Sequence, residues 1–158
     1  AAQLAQRLVD WAYNSENLMK VLPHAQKRME TLSDFAPLAS FLVSGSLSLN
    51  EESFASVKGE RDAIVKGLQF ALWRLEAQHQ WTRDAVWNDL KALADALEIK
   101  VKDFLAPLFI AIAGSSASFA VVDSMELLGP DMTRVRIRDA MEVLGGVCTV
   151  WAKKVERG

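Results

Sequence analysis

The sequence has little of several residue types that mark particular protein classes. It contains one cysteine, Cys148, and therefore cannot form an intramolecular disulfide or a cysteine-based zinc site. A lone cysteine is also consistent with a reducing compartment, so we expect a cytoplasmic protein. The formal net charge is only −2, which gives no general reason to expect nucleic-acid binding. Any such binding would have to come from a local basic patch.

Long apolar runs are missing as well. The longest strongly apolar stretch, residues 104–114, is interrupted by Pro107, whereas a membrane-spanning helix needs roughly 20 apolar residues. The N-terminal residues show neither a continuous apolar run nor a cleavage-like site, so we expect no membrane span and no secretory signal. The first residue is Ala1 rather than methionine, which indicates a fragment.

The residue patterns of common catalytic and metal sites are also absent. His24 and His79 are far apart in the chain and fit no zinc-binding spacing. The serine-rich stretch 113–119 contains no Gly-x-Ser-x-Gly elbow and no P-loop lysine. We interpret it as a tight connection between helices, capped by Ser118. The sequence therefore predicts no catalytic residue and no metal site.

Helical periodicity is present along almost the whole chain. Glycine and proline are few and lie between segments whose apolar residues recur at helical spacing, which predicts an all-α fold of about nine helices. Helix starts are predicted at Ser15, at Thr82 and at Thr31, with Asp34 completing a capping box, and Pro23 is predicted in a first helical turn. The clearest buried stripes are Ile64, Leu68, Ala71 and Leu72, and Val86, Leu90, Leu93 and Ala94.

Two breaks divide the helical pattern. Residues 44–50 are small and polar and are predicted to be a linker. A second break near 98–104 precedes three shorter helices, each ending at glycine as helices commonly do. The predicted division is residues 1–100 and residues 101–158, the second including a C-terminal tail.

Arg134, Arg136 and Arg138 lie within five residues of this slightly acidic chain. On a helix Arg134 and Arg138 share a face, whereas Arg136 lies on the other flank of the apolar stripe. Two explanations remain open for these arginines. Arg136 could pair with a carboxylate such as Glu126 or Asp139 and hold helices together, or the arginines could bind an anion. Of the tryptophans, Trp81 is the one whose exposure would indicate base stacking.

Two segments of the chain carry distinctive motifs. In the first segment the residues are Arg28, Thr31 and Leu32. In the second they are Pro107, Leu108, Gly114, the "MELLG" of 125–129 and the "RVRIRDAM" of 134–141. These motifs resemble those of the C-terminal region of bacterial glutamyl-tRNA synthetases. Their order and separation match that family, so the resemblance covers nearly the whole chain.

The resemblance implies two all-helical subdomains, often called an α-helix cage, that recognise an anticodon. The expected partner is tRNA-Glu, with tRNA-Gln as a second candidate, and neither DNA nor a membrane is expected. Phe109 stands where the family has arginine; it cannot donate a hydrogen bond to a base but could stack on one. The implied anticodon contacts are Arg28, Thr31, Phe109, Ser116, Ser118 and Val121, and the candidate phosphate contacts are Lys27, Arg134, Arg136 and Arg138.

The resemblance also implies that the parent enzyme uses ATP and Mg²⁺ to join glutamate to tRNA. The two ATP-site signatures of the family are absent from these 158 residues, so the fragment is expected to recognise tRNA without a cofactor. We also expect the fragment to be monomeric. Two alternatives stay open: the C-terminal domain of a class I lysyl-tRNA synthetase, and a helical protein-interaction scaffold.

Overall fold

The chain folds into α-helices joined by short connections. A computed structural model describes Gln3, Asp10 and residues 15–115 and 119–146. Two short 3₁₀ helices, Leu32–Asp34 and Glu51–Phe54, precede the second and third of the long helices. The α-helices are α1 (Ser15–Ala25), α2 (Phe35–Val43), α3 (Arg61–Glu76), α4 (Arg83–Ala96), α5 (Val101–Ala113), α6 (Val121–Leu128) and α7 (Pro130–Val143).

The all-α class predicted from the sequence is confirmed, but the helix count is corrected. Within the described residues there are seven α-helices rather than about nine, and no strand. The segment predicted to begin a helix at Thr31 starts with the 3₁₀ turn Leu32–Asp34, which buries no side chain, and continues as α2. The placement of Pro23 is also corrected: it lies near the end of α1, not in a first turn. The predicted linker 44–50 contains no helix.

Local signals explain several helix boundaries. The Thr82 hydroxyl accepts a hydrogen bond from the Ala85 amide at 3.3 Å, as the predicted cap of α4 requires. At the end of α5, Gly114 has φ of 77°, a left-handed conformation that glycine adopts without a Cβ clash. Pro130 begins α7, where its missing amide hydrogen would have had no intrahelical partner. The predicted start of α4 and the glycine-terminated end of α5 are therefore confirmed.

The main core lies between α3, α4, α5, α6 and α7. Leu68, Leu90 and Ile137 are each 0% exposed at its centre, and burial of a side chain of this size contributes roughly 1.5–3 kcal/mol. The predicted stripes on α3 and α4 both face this core. One polar group is enclosed nearby: both carboxylate oxygens of Asp89 accept hydrogen bonds, from Arg74 at 2.8 Å and from Gln78 at 2.5 Å.

A second, smaller core lies between α1, α2 and Phe119, which is two residues before α6. It consists of Val21, Ala25, Ala39, Phe41 and Phe119. Both cores contain residues from before and after position 100. The division of the chain into subdomains at residues 100 and 101 stays a prediction.

Candidate nucleic-acid interface

Lys27 and Arg28 lie in the turn that follows α1. Both side chains are exposed. The turn itself is anchored, because Ala25 is 0% exposed in the smaller core and its carbonyl accepts hydrogen bonds from the Arg28 amide at 2.8 Å and the Met29 amide at 3.1 Å. The position of the turn is therefore fixed by the core while two cationic side chains reach the surface.

The next residues form a short capped turn. The Asp34 carboxylate accepts hydrogen bonds from the Thr31 amide at 2.8 Å and the Glu30 amide at 2.9 Å. These two bonds stabilise the charged form and lower the pKa of Asp34 below its usual value. The Thr31 hydroxyl is 2.7 Å from the Ser33 hydroxyl. Residues 28–34 thus present exposed Arg28 and Thr31 on backbone that is held by local hydrogen bonds.

The predicted tRNA contacts in the second half of the chain differ in how far their side chains are exposed. Phe109 is half-buried and packs against the main core, so only part of its ring is accessible for stacking. Val121 is 2% exposed within that core. The expectation that Val121 contacts tRNA is corrected, because its methyl groups are turned inward at the start of α6. Ser116 and Ser118 lie outside the described residues.

Phe119 lies beside the last turn of α1. It directly follows residues 116–118, is 1% exposed, and its ring lies 6.0 Å from the His24 ring, measured between centroids. His24 belongs to the last turn of α1, which leads into the turn of Arg28. Phe119 is therefore anchored beside the helix that leads to Arg28, although the two residues are far apart in sequence.

The contacts of a carboxylate support the same arrangement. Asp123, in the first turn of α6, lies 3.5 Å from Nδ1 of His24 and accepts a hydrogen bond from Nε of Arg83 at 2.8 Å. Its carboxylate raises the pKa of Arg83, with a smaller contribution from Asp84. Asp123 thus joins α1, α4 and α6. Sequence reasoning missed the roles of Phe119, His24 and Asp123. The available signal concerned Phe119 alone, which is a single large aromatic residue in a stretch of small ones.

Arg136 is buried, with 1% of its surface exposed. Its guanidinium donates hydrogen bonds to the carbonyl oxygens of Ile112, Phe41 and Ser44, each at 2.5 Å. Burial lowers the pKa of Arg136, and the nearby carboxylate of Asp139 partly opposes that effect. The expected phosphate contact of Arg136 is corrected, because its side chain does not reach the surface. Its hydrogen-bond partners are main-chain carbonyls, not the carboxylates considered from the sequence.

Arg134 and Arg138 contact the end of α3. Arg134 donates a hydrogen bond to the Leu75 carbonyl at 3.0 Å and lies over the Trp81 ring at 5.9 Å. Arg138 forms an ion pair with Glu76. Cations near a helix C-terminus interact favourably with its exposed carbonyls. The arginines of α7 therefore contribute to helix packing, while phosphate contact by Arg134 or Arg138 stays a prediction.

Trp81 has a packing role as well. It is half-buried, and its indole N–H donates a hydrogen bond to the Met125 carbonyl at 2.9 Å. With one ring face near Arg134 and its donor occupied, Trp81 joins the start of α4 to α6.

Comparison with known proteins assigns the family. A family model described as an anticodon binding domain matches residues 3–141. The chain belongs to this family. Among the described residues of this anticodon-binding domain, no group of three or more His, Cys, Asp or Glu side chains is placed to hold a metal ion. In the same part of the chain, no helix combines the length and apolar character needed to span a bilayer.

Its curated relatives include glutamate–tRNA ligases. The domain is 60% identical over 144 residues to the glutamate–tRNA ligase of Cellvibrio japonicus, which covers 91% of this chain and 29% of that protein. It is 53% identical over 156 residues to the enzyme of Saccharophagus degradans, covering 99% of this chain and 31% of that protein. The chain therefore spans about 30% of the length of these relatives.

A solved structure shares the fold. It is a glutamate tRNA ligase from Elizabethkingia meningosepticum in complex with its amino acid. The superposition has a TM-score of 0.73 and covers 82% of this chain and 25% of that chain, at 20% sequence identity.

Proposed function

We propose that this domain is the tRNA-recognition part of a glutamate–tRNA ligase and that it reads the anticodon of tRNA-Glu. Anticodon bases are unpaired and can be stacked and hydrogen-bonded on their edges, which is the usual route to sequence-specific RNA recognition. The family of the chain and the names of its relatives support this function. The full-length enzyme would bind ATP and Mg²⁺ outside this chain.

The proposed interface combines the turn of Arg28 and Thr31 with the connection between α5 and α6. The observation that supports this proposal is the contact of Phe119 with His24, which puts the residue that follows 116–118 beside the last turn of α1. Arg28 supplies hydrogen-bond donors suited to a base edge, Lys27 supplies charge for the phosphate backbone, and Ser116 and Ser118 supply hydroxyl groups. Phe109 would offer the exposed part of its ring for stacking.

Three further properties belong to the same proposal. We infer that the chain has two helical subdomains divided near residue 100, that it is monomeric, and that the enzyme acts in the cytoplasm. The presence of main-core residues on both sides of position 100 would make the subdomains a single packed unit.

The binding affinity of the chain for tRNA transcripts tests this proposal directly. The 158-residue chain should bind tRNA-Glu more tightly than the same transcript with an altered anticodon by about tenfold or more, since a lost base contact costs roughly 1–3 kcal/mol. Equally tight binding of a tRNA-Gln transcript would indicate a relaxed anticodon preference. Tighter binding of a tRNA-Lys transcript would indicate a domain of a lysyl-tRNA synthetase. Equal binding of all these tRNAs at moderate salt would reject the proposal.

Arg28→Ala tests the central residue of the proposed interface. It should remove the preference for the cognate anticodon, whereas the exposed Lys91→Ala on α4, which loses the same charge, should keep it. If Arg28→Ala retains the preference, another group reads the anticodon.

A further inference from the structure

The three hydrogen bonds of Arg136 connect two helix ends. Ile112 is the second-last residue of α5, Phe41 is near the end of α2, and Ser44 directly follows α2. The last carbonyls of a helix have no intrahelical partner and carry partial negative charge. A single buried guanidinium therefore satisfies carbonyls from both helices, with Nη1 directed to α5 and Nη2 directed to α2.

These two helices carry the segments of the proposed interface. The Thr31 turn leads directly into α2, and α5 ends directly before the connection that contains Ser116 and Ser118. Phe41, whose carbonyl accepts from Arg136, also packs its ring against Phe119 at 5.8 Å. Movement of α2 relative to α5 would therefore change the separation of the two segments.

We propose that Arg136 is a positioning residue for anticodon recognition, which fixes the turn of Arg28 relative to the α5–α6 connection without touching tRNA. This inference rests on the proposed function. Lysine cannot replace arginine in this role, because one ammonium group on a single stem does not span carbonyls approached by two separate guanidinium nitrogens. Arg136→Lys preserves the charge and removes the two-sided contact.

The test compares Arg136→Lys with Arg74→Lys. Arg74→Lys also removes a contact made by two guanidinium nitrogens, in this case with the buried Asp89. Arg74 lies on α3, which carries no segment of the proposed interface. We expect Arg136→Lys to reduce the preference for the cognate anticodon by about tenfold, with the salt dependence of binding unchanged. Arg74→Lys should keep the preference. Arg136→Gln, which has one amide group and no charge, repeats the comparison.

Two results would overturn the proposal. The first is an unchanged anticodon preference in both Arg136 variants. The second is a decrease of about 0.7 in the magnitude of the slope of log K against log salt concentration for the uncharged Arg136→Gln, because a decrease of that size reports the loss of a direct phosphate contact.

A distance measurement separates this inference from the proposed function. Spin labels at Gln26→Cys and Ser115→Cys, in a Cys148→Ser background, report the separation of the two segments without tRNA. We expect Arg136→Lys to broaden or shift that distance distribution and Arg74→Lys to leave it unchanged. If the unaltered chain shows no anticodon preference, the proposed function fails, yet the label distance still decides whether Arg136 couples the segments; an unchanged distance rejects the coupling.

Discussion

The ring of Phe119 packs edge-on against the ring of Phe41, with 5.8 Å between their centroids. Phe119 precedes α6 and Phe41 lies in α2, so this contact attaches the connection between α5 and α6 to the N-terminal helices. Both rings are at least 96% buried. The smaller core therefore contains a contact between α2, which follows the turn of Thr31, and the residue that follows 116–118.

Phe119→Ala should destabilise the fold and weaken tRNA discrimination together. Loss of a fully buried phenylalanine typically lowers the free energy of unfolding by about 3–5 kcal/mol. Urea denaturation measures this loss, and Phe70→Ala on α3, which is half-buried, provides a control with a smaller decrease. A Phe119→Ala chain that is folded and still prefers the cognate anticodon would show that this anchor does not position the interface.

The cap formed by Asp34 should weaken in acid. Because the pKa of Asp34 is lowered in the folded chain, its contribution to stability is present above the unfolded value of 3.8 and is lost as pH falls through the folded value. The amide chemical shifts of Glu30 and Thr31 should therefore change below that pH in an NMR titration. In Asp34→Asn these changes should vanish; their persistence would mean that another group caps the turn.

Asp123→Asn should loosen the attachment of α6 to α1 and α4. The variant keeps the size of the side chain but loses the charge that contacts His24 and Arg83. Hydrogen bonds to charged groups contribute roughly 1.5–3 kcal/mol, so we expect the free energy of unfolding to fall by about 1–2 kcal/mol, below the full range because Arg83 is exposed. Asp131→Asn, which removes a solvent-exposed carboxylate near Arg134, should change it by less than about 0.5 kcal/mol. Equal effects of the two variants would contradict a joining role for Asp123.

Trp81→Phe should cost about 1 kcal/mol of stability, since the aromatic ring is kept and one hydrogen bond to Met125 is lost. The Met125 carbonyl also accepts from the Gly129 amide at 3.0 Å, so it is not left without a partner. Chemical denaturation measures the change, and Trp73→Phe, at a position 41% exposed, should be close to neutral. A neutral Trp81→Phe would indicate that the indole hydrogen bond exchanges freely with water.

Helix capping and apolar periodicity were readable from the sequence because they depend on residues close together in the chain. The cap of α4 at Thr82 and the end of α5 at Gly114 follow from side-chain and backbone preferences within one turn. The stripe of α3 predicted a buried face correctly. The helix predicted to begin at Thr31 opens instead with the 3₁₀ turn Leu32–Asp34, which buries no side chain, and the α-helix starts only at Phe35.

The candidate site was less readable, since it depends on contacts between distant residues. Arg28 is exposed and its anticodon contact stays a prediction, whereas the contact between Phe119 and His24 joins two parts of the chain that no local pattern links. Val121 was expected to contact tRNA only through the family resemblance. Its burial depends on how α6 lies against the main core.

By itself, the sequence determined an all-α chain and a likeness to anticodon-binding regions, because periodicity, caps and motif order are properties of the linear chain. The tertiary structure alone decided the use of the arginines in "RVRIRDAM". A cation can satisfy helix-end carbonyls or meet a phosphate with the same donors, and only the packing around it determines which. For Arg136 the ends of α2 and α5 converge on the guanidinium and exclude the solvent that a phosphate contact would require.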